Sequence, residues 1–199
     1  MALNRIAILG WGSLIWDIEI LAPHVEGEWQ MAAGPRLPME FSRISPKRKM
    51  GLVVCLDPEV GVACPTHAIE SARQNIHAVE QDLAARERAP LSLIGAWHQS
   101  GVSRGRMPEV VANVKDWCVR YGWSGAVWTD LEPNFQAHTT QRFSVETGIA
   151  YLKTLGGENL AEAVSYIENA PTHTRTPLRD ALKNDPWWRD ALNKQAGDD

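Results

Sequence analysis

The 199 residues carry 44% hydrophobic side chains and a formal charge of −4. That length suits one domain, or one domain with a helical extension, and that apolar content excludes wholesale disorder. The charge argues against nucleic acid as a partner: the one basic block, Lys47-Arg48-Lys49, stands beside Pro46 and Gly51 and reads as a solvated turn.

Cys55, Cys64 and Cys118 form an odd set without CxxC spacing. They are expected as reduced, mostly buried thiols of a cytosolic protein, not as a disulfide frame or zinc site. No apolar run reaches the roughly 18 residues a bilayer demands, and no signal peptide is apparent, so a cytoplasmic protein without a membrane partner is expected. Several of the nine tryptophans are expected to line the core or a cleft.

In chain order, Ile6 to Leu9 reads as a buried strand that stops at Gly10-Trp-Gly-Ser-Leu. Gly10 and Gly12 would let the backbone approach a ligand closely or take φ > 0. Ser13 can donate and accept, and amides freed by the bend can hold an anionic group. Ile15 to Gly34 looks irregular or partly helical. Leu37 to Ile44, Gly51 to Leu56 and Val60 to Cys64 read as strands, the last two joined by an Asp57-Pro-Glu turn. Strands this closely spaced suggest a curled sheet or small barrel.

Thr66 to Arg88 has the strongest helical pattern, with Thr66 or Ser71 as N-cap. Ile69, Ala72, Ile76, Val79 and Leu83 form its stripe at spacings of three and four, and Glu87 lies one turn beyond Leu83, beside Arg86 and Arg88. Leu91 to Trp97 reads as a strand and Ser100 to Arg106 as a loop. Pro108 to Tyr121 reads as a helix with Pro108 near N1 and Gly122 as its stop. Ala126 to Leu131 is a strand. Helices follow over Ser144 to Leu155 with Ser144 as cap, over Leu160 to Glu168 with Asn159 as cap, and over Pro177 to Leu192 with a break at Pro186. The division expected is residues 1–133 as the sheet-bearing domain and 134–199 as a helical extension.

No motif is decisive alone. The glycine loop lacks the third glycine of a dinucleotide fingerprint and the Gly-Lys-Ser/Thr of a phosphate loop; Ile15 stands where a nucleophile elbow needs glycine. His67, His77, His98 and His138 show no metal-ligand spacing. Asp130 and Glu132 follow a strand, where a turn or cap role is expected. Glu87 between two arginines reads as a solvated ion-pair member. If it is partly desolvated, burial makes it a base near neutral pH while the arginines hold it ionised.

The order of features carries more. An apolar strand enters Gly10-Trp-Gly-Ser-Leu-Ile-Trp16, further strands follow, and a helix ends in Arg86-Glu87. This resembles the γ-glutamylcyclotransferase-like superfamily, especially its ChaC-type branch, whose loop reads Gly-Tyr-Gly-Ser-Leu-Ile-Trp and whose later helix ends in Arg-Glu. Trp11 replaces the tyrosine, and Arg88-Ala-Pro-Leu stands where the branch tends to carry Gly-Gly-Tyr. The resemblance covers about the first half of the chain by motif order. It implies an α+β fold, a mixed β-barrel with flanking helices. It also implies an enzyme that cyclises a γ-glutamyl amine or peptide to 5-oxoproline, with Glu87 as general acid/base and no metal or cofactor. Gly10, Trp11, Gly12, Ser13 and Leu14 would bind substrate, and Arg43 is a further candidate for a carboxylate. The alternative is a non-catalytic small-molecule-binding or interaction module on the same fold. A nucleotide-binding reading rests on the glycines alone.

Overall fold

The computed structural model describes residues 4–197. They form an α+β architecture in two compact units: residues 4–37 with 65–131, and residues 38–64 with 132–197. This grouping differs from a division at 133/134, because the strands within 38–64 cluster with the C-terminal helices.

In the first unit the strands are β1 (Ile6–Gly10), β2 (Val25–Gln30), β6 (His67–Ser71), β7 (Ile94–His98), β8 (Val102–Arg104) and β9 (Gly125–Thr129). They form one mixed sheet in the order β2-β6-β1-β9-β7-β8. Only β1 and β9 run parallel, with Ile6 opposite Gly125 and Leu9 opposite Trp128. The sheet is open, so the expected closed barrel is corrected. Its ends are β2 and β8, which present a polar hexapeptide and a three-residue strand. Short, polar edges of this kind discourage further pairing. Gly27, at φ 73, sits where the β2–β6 register shifts and supplies the left-handed residue of that irregularity.

Two helices flank this sheet. The first, α1, spans Ile76–Glu87 and packs on β9, β7 and β1. Ile6 and Ile8, Val127, and Ile94 and Ala96 form one core cluster with Ile76, Val79 and Leu83. The second, α2, spans Pro108–Tyr121 with Pro108 at its start and Gly122, at φ 73, as its left-handed cap. Its Val110, Val114 and Trp117 are buried, and the alternate strand positions Ala7, Leu9, Ala126 and Trp128 are buried as well. Trp128 lies opposite Gly95, whose added Cβ would come within 2.1 Å of the indole. The indole occupies the place of a β7 side chain. Gly95→Ala is therefore expected to cost about 1–3 kcal/mol or more, read as a lower urea midpoint; an unchanged midpoint would refute the close approach.

The long helix expected from Thr66 is corrected. His67–Ser71 is the strand β6 between β2 and β1, and α1 begins only after Asn75. The Asn75 side chain accepts from the amides of His77 and Ala78, which makes it the N-cap in place of Thr66 or Ser71. β6 is buried on both faces, so it shows no alternation, and Ile69 falls at helical spacing from Ile76 by coincidence. β2 went unseen within Ile15 to Gly34 for the opposite reason: Val25 and Trp29 are half-buried against the core, but Gly27 stands between them and the remaining side chains are exposed, so the apolar period is interrupted. Within the expected Ser100–Arg106 loop stands β8, marked by no apolar pattern.

In the second unit, β3 (Arg36–Ser45) is flanked by β4 (Gly51–Leu56) and β5 (Val62–Pro65). The helices are α3 (Phe135–Thr139), α4 (Val145–Leu152), α5 (Gly157–Asn169), α6 (Pro177–Asn184) and α7 (Pro186–Gly197). Ser144 and Thr147 close a reciprocal capping box at α4. The N-cap of α5 is Gly156, three residues before the expected Asn159. The basic triplet forms a turn in which Arg48 and Lys49 pair with Glu162 and Glu158 of α5. Cys55, Cys64 and Cys118 are all buried thiols outside any disulfide among the described residues, and burial pushes the Cys118 thiol up to about 12.

Glu40 of β3 is 1% exposed. Its carboxylate accepts from the Phe41 and Leu178 amides, so it caps the start of α6 together with Thr176. Burial is the largest influence on it and raises its pKa despite those donors. A carboxyl whose pKa rises on folding favours the folded state below its unfolded pKa and loses that advantage as pH climbs through the folded value. Glu40→Gln is therefore expected to gain on wild type as pH rises from 4 towards 7, in paired urea melts. A pH-independent difference would refute this.

Candidate functional site

The parallel pair β1 and β9 ends at one edge of the sheet, where Gly10 passes into the loop of residues 11–17. Carboxyl ends of adjacent parallel strands commonly frame ligand sites. Gly10 is needed because the Trp29 ring lies 2.9 Å from where a Cβ would stand. Neither Gly10 nor Gly12 takes positive φ, which corrects that part of the expectation. Ser13–Ile15 is a turn of 3₁₀ helix. Trp11 and Leu14 are 5% and 4% exposed, so their side chains face the core and only their backbone can meet a ligand. The amides of Ile15, Trp16 and Asp17 bond back to Gly12 and Ser13 carbonyls. Those of Gly12, Ser13 and Leu14 open the turn and find no acceptor among the described residues.

The end of α1 meets this loop through Arg86, which is 6% exposed. Its Nη2 donates to Ser13 Oγ at 3.4 Å and to the Asp17 carbonyl at 2.5 Å. Its Nη1 donates to Glu87 Oε1 at 3.0 Å, and the Glu87 side chain is 16% exposed. Arg86 Nε is buried and has no hydrogen-bond partner among the described residues. The chain thus brings Ser13, Arg86 and Glu87 together over a separation of 73 residues. Beyond them, Arg88 takes a left-handed cap at φ 52 and its guanidinium lies 3.5 Å from Glu19, itself at φ 50.

Reading Arg86 as a mere neighbour of Glu87 missed its role. The spacing contained the signal. Ile76, Val79 and Leu83 are separated by three and four, and the next three-residue step reaches Arg86. An arginine on the buried stripe of a helix needs acceptors within the core. Glu87, one residue further, is displaced towards the stripe's border, which suits its partial exposure.

Arg43 belongs to the second unit, where its guanidinium donates to the Glu132 carbonyl at 2.5 Å. Asp130, 3% exposed, accepts from the Arg106 amide, and burial raises its pKa. Alternation along the strand puts it on the Trp128 side of the sheet, away from α1. At the other end of α1, Glu80 is buried and pairs with Arg104 and with His77. His98 receives the Ser100 amide on Nδ1 and meets Asn4 on Nε2, while burial lowers its pKa. Among the described residues no three His, Cys, Asp or Glu side chains gather to hold a metal ion, and no helix is long and apolar enough to cross a membrane.

What fold and site define is an α+β protein with an open mixed sheet and a glycine-loop, arginine and glutamate cluster at the end of its parallel strand pair. Comparison with protein-family models, with curated proteins and with solved structures finds no match.

Proposed function

We propose that the chain is a γ-glutamylcyclotransferase-like enzyme, converting a γ-glutamyl amine or peptide to 5-oxoproline and free amine. The observation that supports this best is the Arg86 guanidinium joining Ser13 of the glycine loop to Glu87. In the reaction the substrate's α-nitrogen attacks its own γ-carbonyl carbon, closing a five-membered ring, and the bond from that carbon to the leaving nitrogen breaks. Glu87 takes a proton from the α-ammonium and returns one to the departing amine. The attack is intramolecular, so the protein's main work is to hold the folded conformer. The Gly12, Ser13 and Leu14 amides would receive the substrate carboxylate or the developing oxyanion. The reaction calls for no metal or cofactor.

The test incubates γ-glutamyl amides with wild type and Glu87→Gln and measures 5-oxoproline. Wild type is expected to turn over and the variant to be slower by about 10²–10⁴-fold. No product from wild type, or equal product from both, would overturn the proposal.

One observation favours a binding module instead: the Glu87 carboxylate is already engaged by Arg86 at 3.0 Å. A γ-glutamyl compound that raises the melting temperature without being consumed would decide for that reading.

A further inference from the structure

A second concave site lies in the first unit, formed by parts of the chain that the proposed chemistry does not use. It is a cavity of about 340 Å³ between the 30–34 turn and the end of α2. One wall is a run of rings in contact. The Arg5 guanidinium lies 4.2 Å from the Trp123 ring, Trp123 stacks on Trp117 at 5.7 Å and 19°, and Trp117 meets Tyr121 at 6.1 Å. Trp117 and Trp123 are 6% exposed and Tyr121 is 59% exposed, so the rings run from the core to the surface.

The opposite wall is held rigidly. The Ala32 amide donates to His67 Nδ1 at 2.8 Å, the Gly34 amide to the Thr66 carbonyl at 3.0 Å, and Trp117 Nε1 to the Ala33 carbonyl at 2.8 Å. These donors are therefore not offered to a ligand. The Gln30 amide and the Tyr121 hydroxyl are exposed and bond to no described residue. Arg5 is the cation of this cavity, and its charge is matched by Glu70, whose carboxylate it meets through Nε and Nη2 at 2.9–3.1 Å. An anionic ligand would find no uncompensated charge here.

One exposed aromatic ring, a neutral donor–acceptor amide, a phenolic hydroxyl and a cation already paired with Glu70 together select an uncharged planar ring with a hydrogen-bonding edge. We propose that this cavity binds a neutral heteroaromatic of the nucleobase or nucleoside class. The ring stacks on Tyr121, the exposed ring of this wall, and Gln30 reads its edge. The volume suits one ring system with a small substituent. This site is separate from the glycine loop, and its test involves no turnover, so it stands or falls independently of the proposed reaction.

The test titrates the full chain with adenosine and with uridine, following the indole N–H resonances of Trp117 and Trp123. Saturable shifts of these two signals are expected with at least one nucleoside. Tyr121→Ala, at an exposed position, is expected to raise Kd about tenfold by loss of a stacking ring. Gln30→Ala is expected to reduce the preference between the two nucleosides. Adenosine 5′-monophosphate is expected to bind no more tightly than adenosine. The proposal is overturned if neither nucleoside gives saturable shifts at millimolar concentration, or if Kd is the same in both variants as in wild type. Tenfold tighter binding of the monophosphate would overturn it too, by showing a free cation.

Discussion

Arg86→Met is expected to lower stability by about 3–5 kcal/mol, the scale for removing one partner of a buried, hydrogen-bonded charge group. The variant keeps the apolar stem but removes three contacts: to Ser13 Oγ, to the Asp17 carbonyl and to the Glu87 carboxylate. It also leaves a largely buried carboxylate without this counter-ion. Arg86→Lys keeps the charge, but one ammonium cannot reach acceptors that the planar guanidinium spans, so it should recover only part of the loss. Adding Glu87→Gln to Arg86→Met should also recover part, because the charge that Arg86 offset disappears; strict additivity of the two changes would deny the coupling. The measurements are urea midpoints and hydrogen exchange at Ile15, Trp16 and Asp17, whose amides close the loop that Arg86 holds. A methionine variant as stable as wild type would remove Arg86 from the centre of this site.

Arg179→Met is the second large effect, in the other unit. Arg179 is 6% exposed on α6, and its guanidinium donates to four carbonyls, those of Glu168, Ala170, Pro171 and Thr174. Two contacts, to Ala170 and Pro171, are at 2.6 Å. These carbonyls lie where α5 ends, and a cation there also suits the helix dipole. Burial lowers the pKa of Arg179, yet its intrinsic basicity keeps it charged. Removing it strands several acceptors at once, for an expected loss of about 3–5 kcal/mol. Tryptic cleavage after Arg175 should accelerate. Unchanged proteolysis and an unchanged urea midpoint would show that water replaces the guanidinium without penalty.

Much of the local structure is legible in the sequence. Pro108 and Gly122 bracket α2, Ser144 starts α4, and Pro177 and Pro186 begin α6 and α7. In each case the signal is steric or capping chemistry carried by the residue itself. β1, β3 and β4 were legible from their apolar runs. The edge strands β2 and β8 were not, because a strand stabilised by pairing on one side and exposed to water needs no apolar pattern. β6 was mistaken for the start of a helix because its partners, β1 and β2, are remote in sequence.

The same distinction holds for the candidate site. The glycine bend and the acid at the end of α1 could be named from the chain alone, and so could their resemblance to a known arrangement. That Trp11 and Leu14 turn inward, that Arg43 stands in another unit and that Arg86 joins Ser13 to Glu87 could not. By itself the sequence determined where elements begin and end, since caps, prolines and glycines act over a few residues. Tertiary structure alone decided that the sheet stays open and which charged group is buried, because strand pairing and desolvation depend on neighbours brought together from distant parts of the chain.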